Sequence, residues 1–379
     1  VNLDLKYPAI SDLRKRAKRR IPHFAFEYLD SATGSELGVK HNRGALDAIK
    51  FMPAILPGKQ NPQLSRTFMG SPFDLPIGIA PVGMSGMIWP GAEKILAKEA
   101  ATAKIPYSIS TVAAADPEDI MELHDGMGWF QLYAPAKPEI RRDMLRRVKE
   151  AGFNKLVLTV DVPGDSRRER QRRAFVAMPP KITAPIIWAM IKRPLWCFEM
   201  LRVGAPRMKF AESYVSPEAR SADPFVHAGR LIRGHPDWDD LKALRQEWDG
   251  DLIAKGVLIP DDAVRLLDEG VDAIWVSNHT GRQFEAAPAA ITQLPKVRAA
   301  VGTKTPIIFD SGVNGGLDIL RALALGADMV FLGKAFHFAV AAYGAAGVRH
   351  LIHILTADMR ANMEQMGVQQ LSELSSRLV

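Results

Sequence analysis

The sequence predicts an α/β protein: a (β/α)8 TIM barrel with an N-terminal capping segment and a long insertion after the fourth strand. Three observations carry that prediction. Eight short β-rich runs each lead into a helical pattern. The runs are mostly continuous in apolar residues rather than alternating, as strands covered on both faces are. Their polar residues gather at the C-terminal ends, where barrels of this kind do their chemistry. An open doubly wound sheet is the alternative, and eight such units favour closure.

The elements follow in chain order within a single domain, 1–379. Residues 1–75 precede the first run and are expected to cap one end of the barrel, which spans 76–350. The runs are PIGIAP (76–81), PYSIST (106–111), GWFQLY (128–133), KLVLTVD (155–161), DLIAKGV (251–257), AIWVSN (273–278), TPIIFDSG (305–312) and MVFLGK (329–334). Between them lie amphipathic stretches such as PEIRRDMLRRVKEAG and GGLDILRALALGAD, with apolar residues at helical spacing. Residues 162–250 separate the fourth run from the fifth, far more than a βα connection needs. Long insertions of this kind form lids, partner surfaces or disordered segments. Within this one, residues 181–210 mix apolar and aromatic side chains with basic ones. Residues 351–379 read as a C-terminal helical tail.

Composition narrows the function. A hydrophobic content of 47% supports a large core, and the net charge is +7. Much of that charge is local, in DLRKRAKRR (12–20), RRDMLRRVK (141–149) and RRERQRR (167–173). The first two runs fit the solvated faces of helices. No zinc-finger spacing or aromatic RNA-binding motif accompanies them, so nucleic acid is not an expected partner. Acidic substrates or an anionic membrane surface remain compatible with the charge. The single cysteine, Cys197, rules out a disulfide within the chain and suggests a reducing compartment. The stretch VNLDLKYPAISDL lacks the apolar core of a signal peptide. No apolar run approaches the roughly 20 residues of a membrane span. The expected location is the cytoplasm, or the inner face of the cytoplasmic membrane.

The strand ends, in order, present Pro81 to Gly83, Ser110, Gln131 with Tyr133, Thr159 with Asp161, Lys255, His279 with Arg282, Asp310, and Gly333 with Lys334. Any one of these has an ordinary structural explanation, such as a helix cap. A ring of them converging on one barrel mouth points to an active site. The loops DSGVNGG (310–316) and FLGKAF (331–336) follow the seventh and eighth runs, where barrels commonly hold a phosphate. The same glycines would also serve for tight turns alone.

Several strings together resemble the FMN-dependent α-hydroxy-acid dehydrogenase/oxidase family. They are FEYLDSATG (26–34), APVGM (80–84), WFQLY (129–133), LTVDVP (158–163), RRE (167–169), AKGV (254–257), SNHTGRQ (277–283), DSGV (310–313) and ALALGAD (322–328). The resemblance covers nearly the whole chain, and SNHTGRQ is its most specific part. It implies an FMN cofactor, a small L-2-hydroxy-acid substrate and a homotetramer. His279 would be the base, with Asp161 orienting it. Arg282 would grip the substrate carboxylate, assisted by Arg168, while Tyr28 and Tyr133 bond the carboxylate or hydroxyl. Lys255 would stand by the flavin edge that gains negative charge on reduction. Ser110, Gln131, Thr159 and Ser277, with the main chain of Ala80, Pro81, Val82 and Gly83, would line the ring. Asp310, Gly312, Asn314, Gly315, Gly316, Gly333 and Lys334 would form the phosphate loops.

The chain departs from the family pattern in places. Asn314 and Lys334 stand where the family usually has arginines, and Asn314 removes a charge altogether. Val112 replaces a large aromatic found in some oxidase members, which fits either a bulkier substrate or neutral drift. Gly83 stands where several oxidases have alanine, without settling the electron acceptor. KRPLWCFEMLRVGAPR (192–207) resembles the membrane-binding segment of the family's membrane-associated members. Trp188, Trp196 and Phe198 would then enter the interface, with Lys192, Arg193, Arg202 and Arg207 meeting anionic head groups, so that 183–207 forms a peripheral membrane contact. An ordinary lid is the alternative. A docked enzyme would pass electrons to a quinone; a soluble one would use oxygen. A flavin-free barrel that binds a metabolite is the reading from a different class, supported only by the altered phosphate loops.

Overall fold

The computed structural model describes residues 2–176, 183–216, 218 and 228–379. Residues 177–182, 217 and 219–227, all within the expected insertion, lie outside the described residues. A short antiparallel hairpin comes first, β1 (Arg66–Phe68) and β2 (Ser71–Phe73). Eight parallel strands follow: β3 (Ile77–Ile79), β4 (Tyr107–Ser110), β5 (Gly128–Leu132), β6 (Lys155–Thr159), β7 (Asp251–Val257), β8 (Ala273–Val276), β9 (Ile307–Phe309) and β10 (Met329–Leu332). They close in sequence order, with β10 returning to β3. The predicted barrel is the observed one, and each strand falls inside its predicted run.

Strand periodicity explains why these runs are apolar and yet end in polar residues. Outward residues such as Ile77, Ile109, Phe130, Leu156, Leu252 and Ile274 pack under the surrounding helices. Inward residues Trp129, Val157, Ile253, Trp275, Ile308 and Phe331 fill the N-terminal half of the barrel. Phe331 lies 4.9 Å from Trp129 and 4.5 Å from Trp275, ring centre to ring centre. Gly78 makes room for it, because a Cβ there would fall 2.5 Å from the Phe331 ring. Truncating such a side chain to alanine costs about 3–5 kcal/mol. One step further along the inward face, two residues on, stand Ser110, Gln131, Thr159, Lys255, Ser277 and Asp310. The barrel is therefore plugged by aromatics below and polar at its C-terminal mouth.

The N-terminal segment serves both ends rather than one. Phe68 and Phe73 of the hairpin join the aromatic plug, with Phe68 stacked 6.1 Å from Trp129. The helices His23–Asp30 and Leu37–Ala48 instead flank the mouth, where Tyr28, Glu36, Val39 and Arg43 line the cavity. The helix Ile10–Arg20 lies by the helix Lys334–Tyr343, with Arg20 Nη1 donating to the Ala342 carbonyl at 2.5 Å. At the other terminus, the tail opens with the helix Ala345–Met366, beginning before the expected boundary.

Two expectations about basic residues and the insertion need correction. Arg141, within a run expected to be solvated, is only 4% exposed and is held by Glu247 and Asp240. The insertion carries a pair of helices, Ala184–Ile191 and Pro194–Val203. Trp196 does not face outward: it is 3% exposed, packs edge-on to Phe24 at 5.9 Å and donates to the Met87 carbonyl. It anchors the pair to the barrel. Trp188 and Phe198 are 59% and 62% exposed, together with Ile191, Leu195 and Leu201. Among the described residues, no helix is long and apolar enough to cross a membrane.

Candidate active site

A cavity of about 400 Å³ opens at the C-terminal mouth. His279, Arg282, Lys255, Asp310, Tyr28, Tyr133, Arg168, Gly83, Gly312, Asn314, Gly333 and Lys334 all contribute to its lining. Side chains distant in sequence meet there because each ends a strand or caps the mouth.

The His279 turn is built with unusual backbone. His279 and Thr280 have φ of 54° and 56°, the left-handed region that residues with a Cβ seldom adopt. The conformation is held by hydroxyls: the His279 N–H donates to Ser277 Oγ (3.0 Å) and the Thr280 N–H to Ser311 Oγ (3.1 Å). It turns His279 Nδ1 onto the Asp161 carboxylate, 3.0 Å from Oδ2. A carboxylate partner there keeps the proton on Nδ1, so Nε2 is the basic nitrogen. Burial pushes the His279 pKa below its ordinary value; Asp161 opposes this and Lys255 adds to it. Burial would raise Asp161, but His279 and Lys255 more than offset it, and its carboxyl lies below the usual range. The pair is thus a neutral imidazole beside a carboxylate at neutral pH.

Arg282, on the same turn, donates from Nη2 to the Tyr28 carbonyl at 2.7 Å and lies over the Tyr28 ring. Its Nε is buried without a hydrogen-bond partner. Burial lowers the guanidinium to about 9, with Arg168 adding to the effect, so it remains charged at neutral pH. Arg168 is set by Ser166 Oγ and Gln283 Oε1, each 2.8 Å away. Tyr28 donates to the Gly83 carbonyl at 3.0 Å. Burial, reinforced by Asp161, pushes Tyr133 up to about 12, which keeps it a proton donor.

The inward polar layer forms two sets. Ser110 donates to Gln131 Oε1 (2.8 Å), and Gln131 Nε2 donates to Thr159 Oγ1 (2.9 Å). Lys255 Nζ lies 3.0 Å from Asp310 Oδ2 and 3.1 Å from Ser277 Oγ. Asp310, expected in a phosphate loop, also accepts from Trp275 Nε1 and Ser311 Oγ and acts here as the partner of Lys255.

At the phosphate loops two main-chain donors beside the glycines are already taken. The Asn314 N–H is taken by Asp318, and the Leu317 N–H by Asp358. Gly316 packs against the C-terminal helix, where a Cβ would fall 2.5 Å from the Met359 nitrogen. Gly312, Gly333 and the start of the helix Lys334–Tyr343 do face the cavity. Lys334 Nζ has the Asp30 carbonyl as an acceptor at 2.7 Å, and burial beside Arg282 lowers it to about 7.

Asn42, Arg43 and Gly256 were not singled out in the sequence. Asn42 and Asn278 exchange amide hydrogen bonds, Arg43 reaches the Gly312 carbonyl, and Gly256 lies against Asp161. Gly38, Asn42 and Leu46 do recur at i, i+4 and i+8, a face on which a buried asparagine stands out.

A barrel with a carboxylate-paired histidine, a buried arginine and glycine loops at one mouth has the make-up of an enzyme site. Residues 17–379 match the family described as FMN-dependent dehydrogenase, and the chain belongs to that family. It is 34% identical over 372 residues to an L-lactate dehydrogenase of Ectopseudomonas mendocina, covering 98% of both chains. The crystal structure of the monotopic membrane protein (S)-mandelate dehydrogenase superposes with a TM-score of 0.90 at 33% identity, covering 98% of each chain. A mandelate oxidase structure gives 0.80 at 29% identity, again over 98% of each. The family level supports an enzyme that oxidises a 2-hydroxy acid to the 2-oxo acid with FMN.

Proposed function

We propose that this chain oxidises an L-2-hydroxy acid to its 2-oxo acid, with His279 as the base and bound FMN as the first electron acceptor. One observation carries the reading. A neutral histidine paired to Asp161 and an arginine with an unpartnered Nε stand on the same turn and open to the same cavity. A simple binder of anions has no use for the base.

The residues fit FMN. The main chain of Ala80 to Gly83 and the Ser110–Gln131–Thr159 row would hold the ring, and Lys255 would sit at its electron-accepting edge. Gly312, Gly333 and the start of the following helix would hold the phosphate with Lys334. FMN, when bound, supplies the acceptor for the two electrons lost from the substrate. The chain does the rest. Arg282 would take the carboxylate in its planar fork, supported by Arg168 and the Tyr28 and Tyr133 hydroxyls. His279 Nε2 would accept one of the two protons released, and Asp161 would stabilise the imidazolium. Val112 beside Gly83 supports an aryl or longer-chain acid as substrate.

The exposed side chains Trp188, Ile191, Leu195, Phe198 and Leu201 support peripheral membrane attachment through 183–207, and with it a quinone acceptor. Arg202 and Arg207 pair with Glu199 and Glu212, and Arg193 donates to the Ile21 carbonyl. Apolar insertion would therefore contribute more than charge. The homologous structure described as a monotopic membrane protein points the same way.

The test is dye-coupled oxidation of lactate, glycolate and mandelate by the FMN-reconstituted protein, with His279→Ala as control. Turnover of one acid that His279→Ala abolishes while retaining flavin supports the reading. A protein that takes up no FMN would instead favour the flavin-free metabolite binder. Flotation with phosphatidylglycerol vesicles tests the membrane contact: the intact protein should float, and a 183–207 deletion should not. Rapid turnover with oxygen alone, by a protein that does not float, would favour a soluble oxidase.

A further inference from the structure

The helix Leu37–Ala48 touches both halves of the site through two adjacent residues. Asn42 Nδ2 donates to Asn278 Oδ1 at 2.8 Å, and Asn278 Nδ2 donates back to Asn42 Oδ1 at 2.8 Å. Both asparagines are buried, at 1% and 5% exposure. Asn42 Oδ1 also accepts the Ala290 N–H, and Asn278 Oδ1 accepts the Gly281 N–H that closes the turn. The same helix packs main chain to main chain on that turn, where a Cβ on Gly281 would fall 2.9 Å from the Gly38 carbonyl carbon.

Arg43 grips the other half. Its Nη1 donates to the Gly312 carbonyl at 3.1 Å, and its two terminal nitrogens hold both oxygens of Asp318. Asp318 in turn receives the Asn314 N–H. Asp47 takes the remaining donors of Arg43, and Arg321 shares Asp318 with it, so every donor of Arg43 is already engaged. Arg43 therefore acts on the loop and not as a phosphate ligand.

We propose that Asn42 and Arg43 are paired positioning residues that fix the His279 turn relative to the phosphate loop from one point on a cap helix. The inference rests on the function proposed above. Two consecutive non-glycine residues in left-handed conformation persist only where the surroundings over-determine them. Asn42 provides that constraint from outside the barrel, and the hydroxyls of Ser277 and Ser311 provide it from within.

Two local substitutions in the FMN-loaded protein test this. In Asn42→Ala, amide hydrogen exchange over 278–282 should speed up at least tenfold while 310–316 is unchanged. Its kcat should fall at least tenfold with KM for the acid within about threefold, and the acid limb of kcat should move to lower pH as the hold of Asp161 on His279 loosens. In Arg43→Gln, exchange should rise over 310–316 with 278–282 unchanged, and the FMN Kd should rise about tenfold. Should Asn42→Ala fold poorly, Asn42→Ser leaves a smaller neutral polar group in the buried position and should show the same pattern in weaker form. The inference is overturned if both variants show one common pattern, or if Asn42→Ala only lowers thermal stability. The exchange measurement reports on the helix whether or not the wild type oxidises any acid. Failure of the proposed function is thus seen separately, in a wild type without turnover.

Discussion

Gly256 and Asp161 interlock: a Cβ on Gly256 would fall 2.5 Å from both the Cβ and Cγ of Asp161. Gly256 has φ of 108° and marks the irregularity in pairing between β7 and β8. The strand thus gives up a side chain next to the carboxylate that orients His279.

Gly256→Ala should therefore displace Asp161. We expect kcat to fall on the order of 10²-fold or more, the size of a general-base contribution, while FMN binding persists. Steady-state kinetics beside a flavin absorption spectrum distinguishes this from simple misfolding.

The pH profile follows from His279. Its folded pKa lies below the ordinary histidine value, so the neutral base is retained below the pH at which a free imidazole would be half protonated. The acid limb of kcat/KM should have its midpoint below about 6.5. Asp161→Asn removes the group that raises His279, so the limb should move lower still, with a loss of rate on the order of 10²–10⁴.

Substrate grip should depend on the fork of Arg282. Arg282→Lys keeps a charge but loses bidentate geometry, and a charged hydrogen bond contributes about 1.5–3 kcal/mol. The kcat/KM should fall roughly 10- to 100-fold, with the flavin spectrum unchanged.

FMN affinity should weaken with rising pH. Lys334 titrates at about 7 in the cofactor-free cavity. Below that pH it is already charged and binding a phosphate needs no proton; above it, binding must take one up. Fluorescence titration should show Kd rising by up to about tenfold per pH unit above 7. Lys334→Met should flatten that dependence.

Acid stability offers a test away from the site. His124 is fully buried beside Tyr107, and burial holds its pKa at about 4. The unfolded chain takes up its proton first, so the contribution is intact above about pH 6.5 and is lost as pH falls towards 4. The loss is on the order of 3 kcal/mol by pH 4. His124→Phe should narrow the difference in denaturant midpoint between pH 7 and pH 4.

The fold was legible because both faces of every barrel strand are covered, which writes the strands as continuous apolar runs. Their polar ends, from Ser110 to Asp310, fall on the inward side by simple alternation. What was hidden depends on direction and distance. Trp196 looks like Trp188 in sequence, yet one is a buried anchor and the other is exposed. Asp310 sits beside the phosphate glycines in sequence but turns inward to Lys255. Asn42 and Arg43 lie in an unremarkable helical stretch, and only folding brings them to residues more than 200 positions away.

The most direct test is an anaerobic visible spectrum of the FMN-loaded protein, followed by stopped flow after adding lactate, glycolate or mandelate. The account predicts oxidised flavin that bleaches with at least one of these acids, and His279→Ala that keeps the flavin but bleaches at least about 100-fold more slowly. Equal bleaching rates in the two proteins, or no bleaching of a fully loaded wild type by any of these acids, would contradict it.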